Sequence, residues 1–253
     1  MKLISFNVNG VRATVKKGLI DTLRQLDADI YCFQETKATE AQVGEALAEL
    51  KGYHIHANSA ERAGYSGTAI LSKEEPLQVD MGIGIAEHDT EGRVITATFK
   101  DHIVVCAYVP NSGEGLRRLD YRQHWDDDLR AYLTKLAKGK LPVIFTGDLN
   151  VAHQPIDIAR PKDNYNKTAG YTQVEIDGMT KLLDAGFTDT FRLFHPEVVK
   201  YSWWSFRMQA RARNVGWRID YVLVSKGFEK TVKDAFILNE VMGSDHCPVG
   251  IEW

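Results

Sequence analysis

The chain has 253 residues, 44% hydrophobic and 26% charged, with a formal net charge of −3. These fractions are ordinary for a soluble globular protein, and the charge rules out a polycation. No apolar run reaches the roughly 18 residues that a membrane helix needs. Met1-Lys2-Leu3-Ile4-Ser5-Phe6 reads as a strand, with no charged-then-apolar leader. We therefore expect one domain spanning residues 1–253, near the upper size for a single core. Cys32, Cys106 and Cys247 lie in or beside apolar runs, as buried free thiols of a reducing cytoplasm would.

The elements alternate along the chain. A strand at 2–8 precedes a helix at 14–26, where Val15, Leu19, Leu23 and Leu26 keep helical spacing. A strand at 29–34 precedes a helix at 39–50 with Thr39 near its N-cap. Short strands follow at 53–57, 67–72, 77–82, 93–99 and 102–109, and an amphipathic helix runs from 115 to 137. The remainder reads as a strand at 142–147, a helix at 172–185, and strands at 219–225, 234–239 and 248–252. The acidic run Asp126-Asp127-Asp128 is expected on the solvated side of its helix. No Ser/Gly-rich linker divides the chain. Strand clusters with helices in each half imply two packed sheets with helices outside.

Three polar clusters each adjoin an apolar run. Ile30-Tyr31-Cys32-Phe33 runs into Gln34-Glu35, and Val143-Ile144-Phe145-Thr146 into Gly147-Asp148-Leu149-Asn150; Gly243-Ser244-Asp245-His246 precedes the closing strand. Apolar β-runs that end in carboxylates and amides put those groups at a sheet's rim, where ligands and metals bind. Together the clusters offer hard oxygen ligands, a general base and a histidine, a set suited to metal-assisted phosphodiester hydrolysis.

Val198 to Ile219 contains no acid, but holds Lys200, Arg207, Arg211, Arg213 and Arg218 among Tyr201, Trp203, Trp204, Phe206 and Trp217. Interleaved cations and aromatics suit backbone contact and stacking on an exposed base or sugar. The plainer alternative is a solvated basic face over a few core aromatics. The metal-type clusters favour the first reading, because a phosphodiester needs a cationic landing surface.

Family patterns then emerge in order: Ser5-Phe6-Asn7-Val8-Asn9-Gly10, Gln34-Glu35-Thr36-Lys37, Gly64-Tyr65-Ser66-Gly67, Asp89-Thr90-Glu91-Gly92-Arg93 and Tyr108-Val109-Pro110-Asn111. They continue with Gly147-Asp148-Leu149-Asn150-Val151-Ala152-His153, Asn214-Val215-Gly216-Trp217-Arg218-Ile219-Asp220-Tyr221 and Gly243-Ser244-Asp245-His246-Cys247-Pro248. The chain resembles the exonuclease III type apurinic/apyrimidinic (AP) endonucleases of the endonuclease/exonuclease/phosphatase superfamily over nearly its whole length. The resemblance implies a four-layered α/β sandwich of two mixed sheets. It also implies a Mg²⁺-dependent DNA repair nuclease, with Mn²⁺ able to substitute, that hydrolyses the phosphodiester 5′ to an abasic site in double-stranded DNA. Blocked 3′-end trimming and 3′→5′ exonuclease activity accompany it; we expect a monomer in a cytoplasmic, nucleoid-associated setting, and the bare N-terminus points to a bacterial or archaeal cell.

By the same resemblance, Glu35 is the principal metal ligand, within a set that includes Asn9, Asp245, Asp148, Asn150 and His246. Some relatives carry Asp in place of Asn9, so cation binding should be weaker here. Asp148 activates water. Asn150 would orient that water, since two residues apart on an extended segment point the same way. Asp220 holds the His246 ring, which faces the phosphate, and Tyr108 and Asn7 also reach that phosphate. Trp203, Phe206 and Trp217 enclose a flipped-out abasic sugar, while Trp204 belongs to the core. Arg207, Arg211 and Arg213 hold backbone phosphates, and Asn111 and Asn164 contact DNA. Some relatives place an arginine after the Tyr-Val-Pro-Asn motif, where this chain reads Ser112-Gly113-Glu114-Gly115. Two rivals remain. A sphingomyelinase or inositol-phosphate phosphatase would need a different loop set at 198–219. A non-catalytic DNA-binding or redox-regulatory protein would have no need for Asp148 or His246.

Overall fold

The elements of the computed structural model, which describes residues 1–253, run in chain order as β1 (Lys2–Asn7), α1 (Val11–Val15), α2 (Leu19–Leu26), β2 (Ile30–Gln34), α3 (Glu40–Ala46), β3 (His54–Asn58), β4 (Thr68–Ser72), β5 (Gln78–Met81), α4 (Ala86–Asp89), β6 (Val94–Thr98) and β7 (Ile103–Tyr108). They continue as α5 (Leu119–Ala137), β8 (Val143–Asp148), α6 (Pro161–Asn164), α7 (Gln173–Asp184), β9 (Phe187–Asp189), α8 (Thr190–Phe194), β10 (Asp220–Ser225), β11 (Asp234–Ile237) and β12 (Val249–Glu252). One six-stranded sheet has the order β11-β12-β1-β2-β4-β3 and the other β5-β6-β7-β8-β10-β9. Both are mixed: β1–β2 and β7–β8 run parallel among antiparallel neighbours.

Strand parity decides which side chains the sheets share. Successive strand residues point to opposite faces. Leu3, Ile30, Cys32 and Ile70 from the first sheet meet Ile95, Val104, Cys106, Ile144, Val222 and Val224 from the second in one buried cluster. The alternate residues face outward under helices. Ile4, Phe6, Tyr31 and Phe33 pack with Leu19, Leu23 and Val43; Val105, Phe145 and Leu223 pack with Trp125, Leu129 and Met179. The result is a four-layered α/β sandwich of helix, sheet, sheet and helix, as expected. All three cysteines are buried and unpaired.

Several local expectations change. The helix at 14–26 is two helices, because Gly18 adopts a left-handed φ of 94° and caps the second. The helix expected from 115 begins at Leu119, after a single 3₁₀ turn at 114–116. The helix predicted at 39–50 ends at Ala46; at its start Thr39 and Gln42 exchange the reciprocal bonds of a capping box. The helices α4, α6 and α8 and the strand β9 are too short to carry a readable period. The acidic run is not merely solvated. Asp126 pairs with Arg122 at 2.8 Å, Asp127 with Arg130 at 2.7 Å, and Asp128 with the buried His88 at 2.9 Å.

Candidate active site

The parity that builds the core also builds a polar rim. Continuing Leu3 and Ser5 by two gives Asn7; Val104 and Cys106 give Tyr108; Ile144 and Thr146 give Asp148; Val224 and Val222 lead back to Asp220. Pairing registers set Tyr108 and Asp220 on either side of Asp148 and Asn7 beside Gln34. Gly147 permits this: with φ of 147°, a Cβ there would lie 1.8 Å from the Ala107 carbonyl oxygen. The side chains then interlock. Asn7 Nδ2 donates to Asp148 Oδ2 at 2.9 Å and to Glu35 Oε1 at 3.3 Å. The Tyr108 hydroxyl donates to Glu35 Oε1 at 2.6 Å. His246 Nδ1 meets Asp220 Oδ2 at 2.9 Å, and its Nε2 lies 3.7 Å from Asp148 Oδ2.

Charge is finely divided among these groups. Burial opposes a proton on His246, but Asp220 foremost, then Asp148 and Asp245, outweigh it and raise the ring to about 10. His246 is therefore an imidazolium at neutral pH, donating from Nδ1 and presenting Nε2–H toward Asp148. Burial drives the Asp148 carboxyl up, His246 opposes the rise, and Asp220 and Glu35 add to it, leaving it at about 7. Burial alone would raise Glu35 too, yet the hydrogen bonds from Lys37 and Tyr108 hold it below the usual carboxylate range. Asp148, Asp220 and His246 bring ligand atoms within 4.8 Å of one another. Such a cluster can share a proton among its members or offer ligand atoms to a metal ion.

Glu35, the expected principal ligand, lies to one side, paired with a lysine. Lys37 Nζ sits 2.8 Å from Glu35 Oε2 and 2.6 Å from Asn9 Oδ1, an ammonium already lodged between two of the expected ligands. Asn9 Nδ2 donates to Asp245 Oδ1 at 2.8 Å. An aspartate could not make that bond, which gives the amide at position 9 a physical reason. Asn9 and Glu35 both have left-handed φ, 45° and 53°, a strain typical of functional rims. Asn150 has it as well, at 48°, which corrects the extended-segment argument: the chain turns after Asp148. The Asn150 backbone N–H reaches Asp148 Oδ1 at 2.9 Å. Its side-chain oxygen accepts from Asn111 and its amide donates to the Val109 carbonyl. Both ends of the Asn150 amide are thus engaged by protein.

Above the rim opens a cavity of about 260 Å³. Glu35, Tyr108, Asn111, Asp148, Asn150, Asp245 and His246 form one side of its lining, Trp203, Trp217 and Ile219 another. Residues 168–170 close it. The Trp203 and Trp217 rings meet edge to face at 6.0 Å, and Trp203 Nε1 donates to Asp245 Oδ2 at 3.1 Å. Backbone bonds tie Trp203 to Trp217 in both directions. Gly216 is required beside them, since a Cβ would lie 2.4 Å from Trp204 Nε1. Trp204 is core, as expected.

The other residues expected at DNA are placed in different surroundings. Phe206 is 72% exposed and outside the cavity. Arg211 donates to the carbonyls of Ser244, Asn239 and Val241 and lies over the Trp204 ring at 4.7 Å, so it braces the His246 loop. Arg218 is buried between Asp157 and Asp189. Asn164 turns its amide onto Ala159 and Arg160 and lies outside the cavity. Arg207 and Arg213 remain exposed. Lys37, Ile219 and residues 168–170 were missed. Lys37 and Ile219 stood inside quoted motifs, where lysine beside glutamate was the available signal.

A family model described as the endonuclease/exonuclease/phosphatase family matches residues 4–246. An exodeoxyribonuclease of Bacillus subtilis is 51% identical over 251 residues, covering 98% of each chain. The DNA repair nuclease APEX1 of Danio rerio is 51% identical over 252 residues, 98% of this chain and 81% of that one. Among solved structures, an AP endonuclease from Archaeoglobus fulgidus superposes with a TM-score of 0.91 at 29% identity, over 100% of this chain and 99% of that one. With its motifs, its sandwich and its rim of carboxylates, amides and imidazolium all in agreement with these matches, the chain belongs to the endonuclease/exonuclease/phosphatase family.

Proposed function

We propose that this protein is a DNA repair nuclease that hydrolyses the phosphodiester 5′ to an abasic site, leaving a 3′-hydroxyl and a 5′-deoxyribose phosphate. The observation that carries this reading is a base and an acid held face to face under an aromatic-walled cavity. Asp148, set near 7, is poised to take a proton from water at neutral pH. The Asn150 N–H and the Asn7 amide fix its two oxygens. Asp220 keeps His246 charged, so its Nε2–H can stabilise charge that develops on the phosphate. Tyr108 and Asn7 add neutral donors at the same rim.

The oxygen-rich side fits Mg²⁺, which takes one or two carboxylates and keeps several waters. The Lys37 ammonium between Glu35 and Asn9 marks where a cation is already tolerated. Glu35 would be the principal ligand, with Asn9 and Asp245 beside it. Bound there, the ion supplies Lewis-acid neutralisation of phosphate charge. Trp203, Trp217 and Ile219 would enclose the sugar. A nucleotide without a base costs less to extrude and fits where an intact one does not. Arg207 and Arg213 are free to meet backbone phosphate. Removal of 3′ nucleotides or blocking groups would use the same centre.

The test is one duplex with a single internal abasic analogue, incubated with and without EDTA and sized on a gel. One incision 5′ to the analogue, restored by Mg²⁺, is the expected result. A ladder growing only from the 3′ end would make the protein an exonuclease first. Persistent cutting in EDTA would remove the metal.

A further inference from the structure

Arg122, on α5, is 2% exposed, and every nitrogen of its guanidinium donates to protein. Nη1 donates to the carbonyls of Pro110 at 3.1 Å and Asn150 at 3.2 Å, and Nη2 to the Leu149 carbonyl at 2.9 Å. Nε donates to the two Asp126 oxygens at 2.8 and 2.9 Å. The three carbonyls belong to two loops, one leaving β7 and one leaving β8. These loops carry Asn111 and Asn150, which line the cavity and bond each other at 2.9 Å.

Asn150 holds a left-handed φ of 48°, a conformation that asparagine tolerates. That conformation aims its N–H at Asp148 Oδ1. The buried Glu175, 3.9 Å from Nη1, extends the same hub to a third loop, accepting from the Ser112 hydroxyl and the N–H groups of Gly170 and Thr172. Gly170 also lines the cavity.

We propose that Arg122 is a positioning residue for the reaction. Its planar fork holds the loops after β7 and β8 in one arrangement, and so keeps the Asn150 N–H directed at Asp148. A lysine cannot reproduce this, because a single ammonium cannot span three carbonyls in that geometry. The inference rests on the nuclease reading above.

Single-turnover cleavage of the abasic-analogue duplex, its binding in EDTA and thermal melting should be measured for the wild type, Arg122→Lys, Arg122→Ala and Asp126→Asn. Both Arg122 variants should bind within about threefold of wild type yet cleave on the order of 10²-fold more slowly, the effect of a misplaced reacting group. Millimolar methylguanidinium should restore part of the Arg122→Ala rate, and methylammonium should not. Asp126→Asn keeps the three carbonyl ties and loosens only their anchor, so it should cleave roughly fivefold more slowly, as one weakened hydrogen bond implies. Folded Arg122 variants that cleave at the wild-type rate overturn the proposal, as does equal rescue by methylammonium. If neither Arg122 variant folds, Asp126→Asn decides. A lower melting temperature with an unchanged rate assigns Arg122 to stability alone. A wild type that leaves the duplex intact refutes the nuclease reading instead.

Discussion

The strand-end cluster and the basic segment at 201–218 differ in how their side chains found their places. At the strand ends, Asn7, Tyr108, Asp148 and Asp220 face one rim because strand parity and register leave them no other side. In the basic segment no period operates, and each cation goes to whichever acceptor the fold brings near. Arg218 finds two buried carboxylates, Arg211 finds three carbonyls, and Arg207 and Arg213 stay exposed. Position along a strand thus predicts direction, while composition of a loop predicts only an inventory. Alike in sequence, the arginines of one segment should behave as different residues.

Arg218→Met should sharpen that contrast most. It leaves the buried Asp189 without its guanidinium and Asp157 with Arg192 alone, and breaking a buried pair costs about 3–5 kcal/mol. Urea midpoints should fall accordingly. A pH series adds a second check. Burial alone would raise Asp157, but Arg218 and Arg192 outweigh it and hold the carboxyl below the usual range. A depressed folded-state value contributes stability fully above the unfolded value of about 3.9, and that stability is lost as pH falls through the lower folded-state value. Wild type should therefore weaken over that acid window, and the variant less. Superimposable acid limbs would remove Arg218 from the network.

Asp148→Asn tests the other region. DNA binding should survive, while the single-turnover rate falls by roughly 10²-fold or more as general-base and electrostatic effects are lost together. Turnover near wild type would take Asp148 out of the reaction.

Arg211→Ala and Arg213→Ala should separate within three positions of chain. The first removes a charged group from three carbonyls and should cost about 2 kcal/mol of stability. The second should leave melting unchanged and make the salt dependence of DNA binding shallower by about one log–log unit. Equal behaviour would mean that the basic segment acts as one undivided patch after all.

The same logic explains what the sequence made legible. Layers, sheets and the rim residues follow from periodicity and short polar endings. The Lys37–Asn9 bond, the turn at Asn150 and the Arg211 brace depend on contacts across 28, 41 and 33 residues, which no local pattern encodes.

Glu114 is the mildest test, because it probes a loop by adding one contact. It is exposed, at the start of the turn that follows Asn111, and Asn111 Oδ1 accepts from the Gly113 N–H at 2.8 Å. Asn111 in turn lines the cavity and bonds Asn150, so this loop is anchored at the pocket's edge. A carboxylate there repels phosphate, and an arginine would attract it. Glu114→Arg should tighten binding to nicked product and slow its release without changing the single-turnover rate. If a phosphate contact forms, counterion release should steepen the salt dependence by up to about one log–log unit. Product affinity and salt slope that both stay at wild-type values would turn this loop away from DNA.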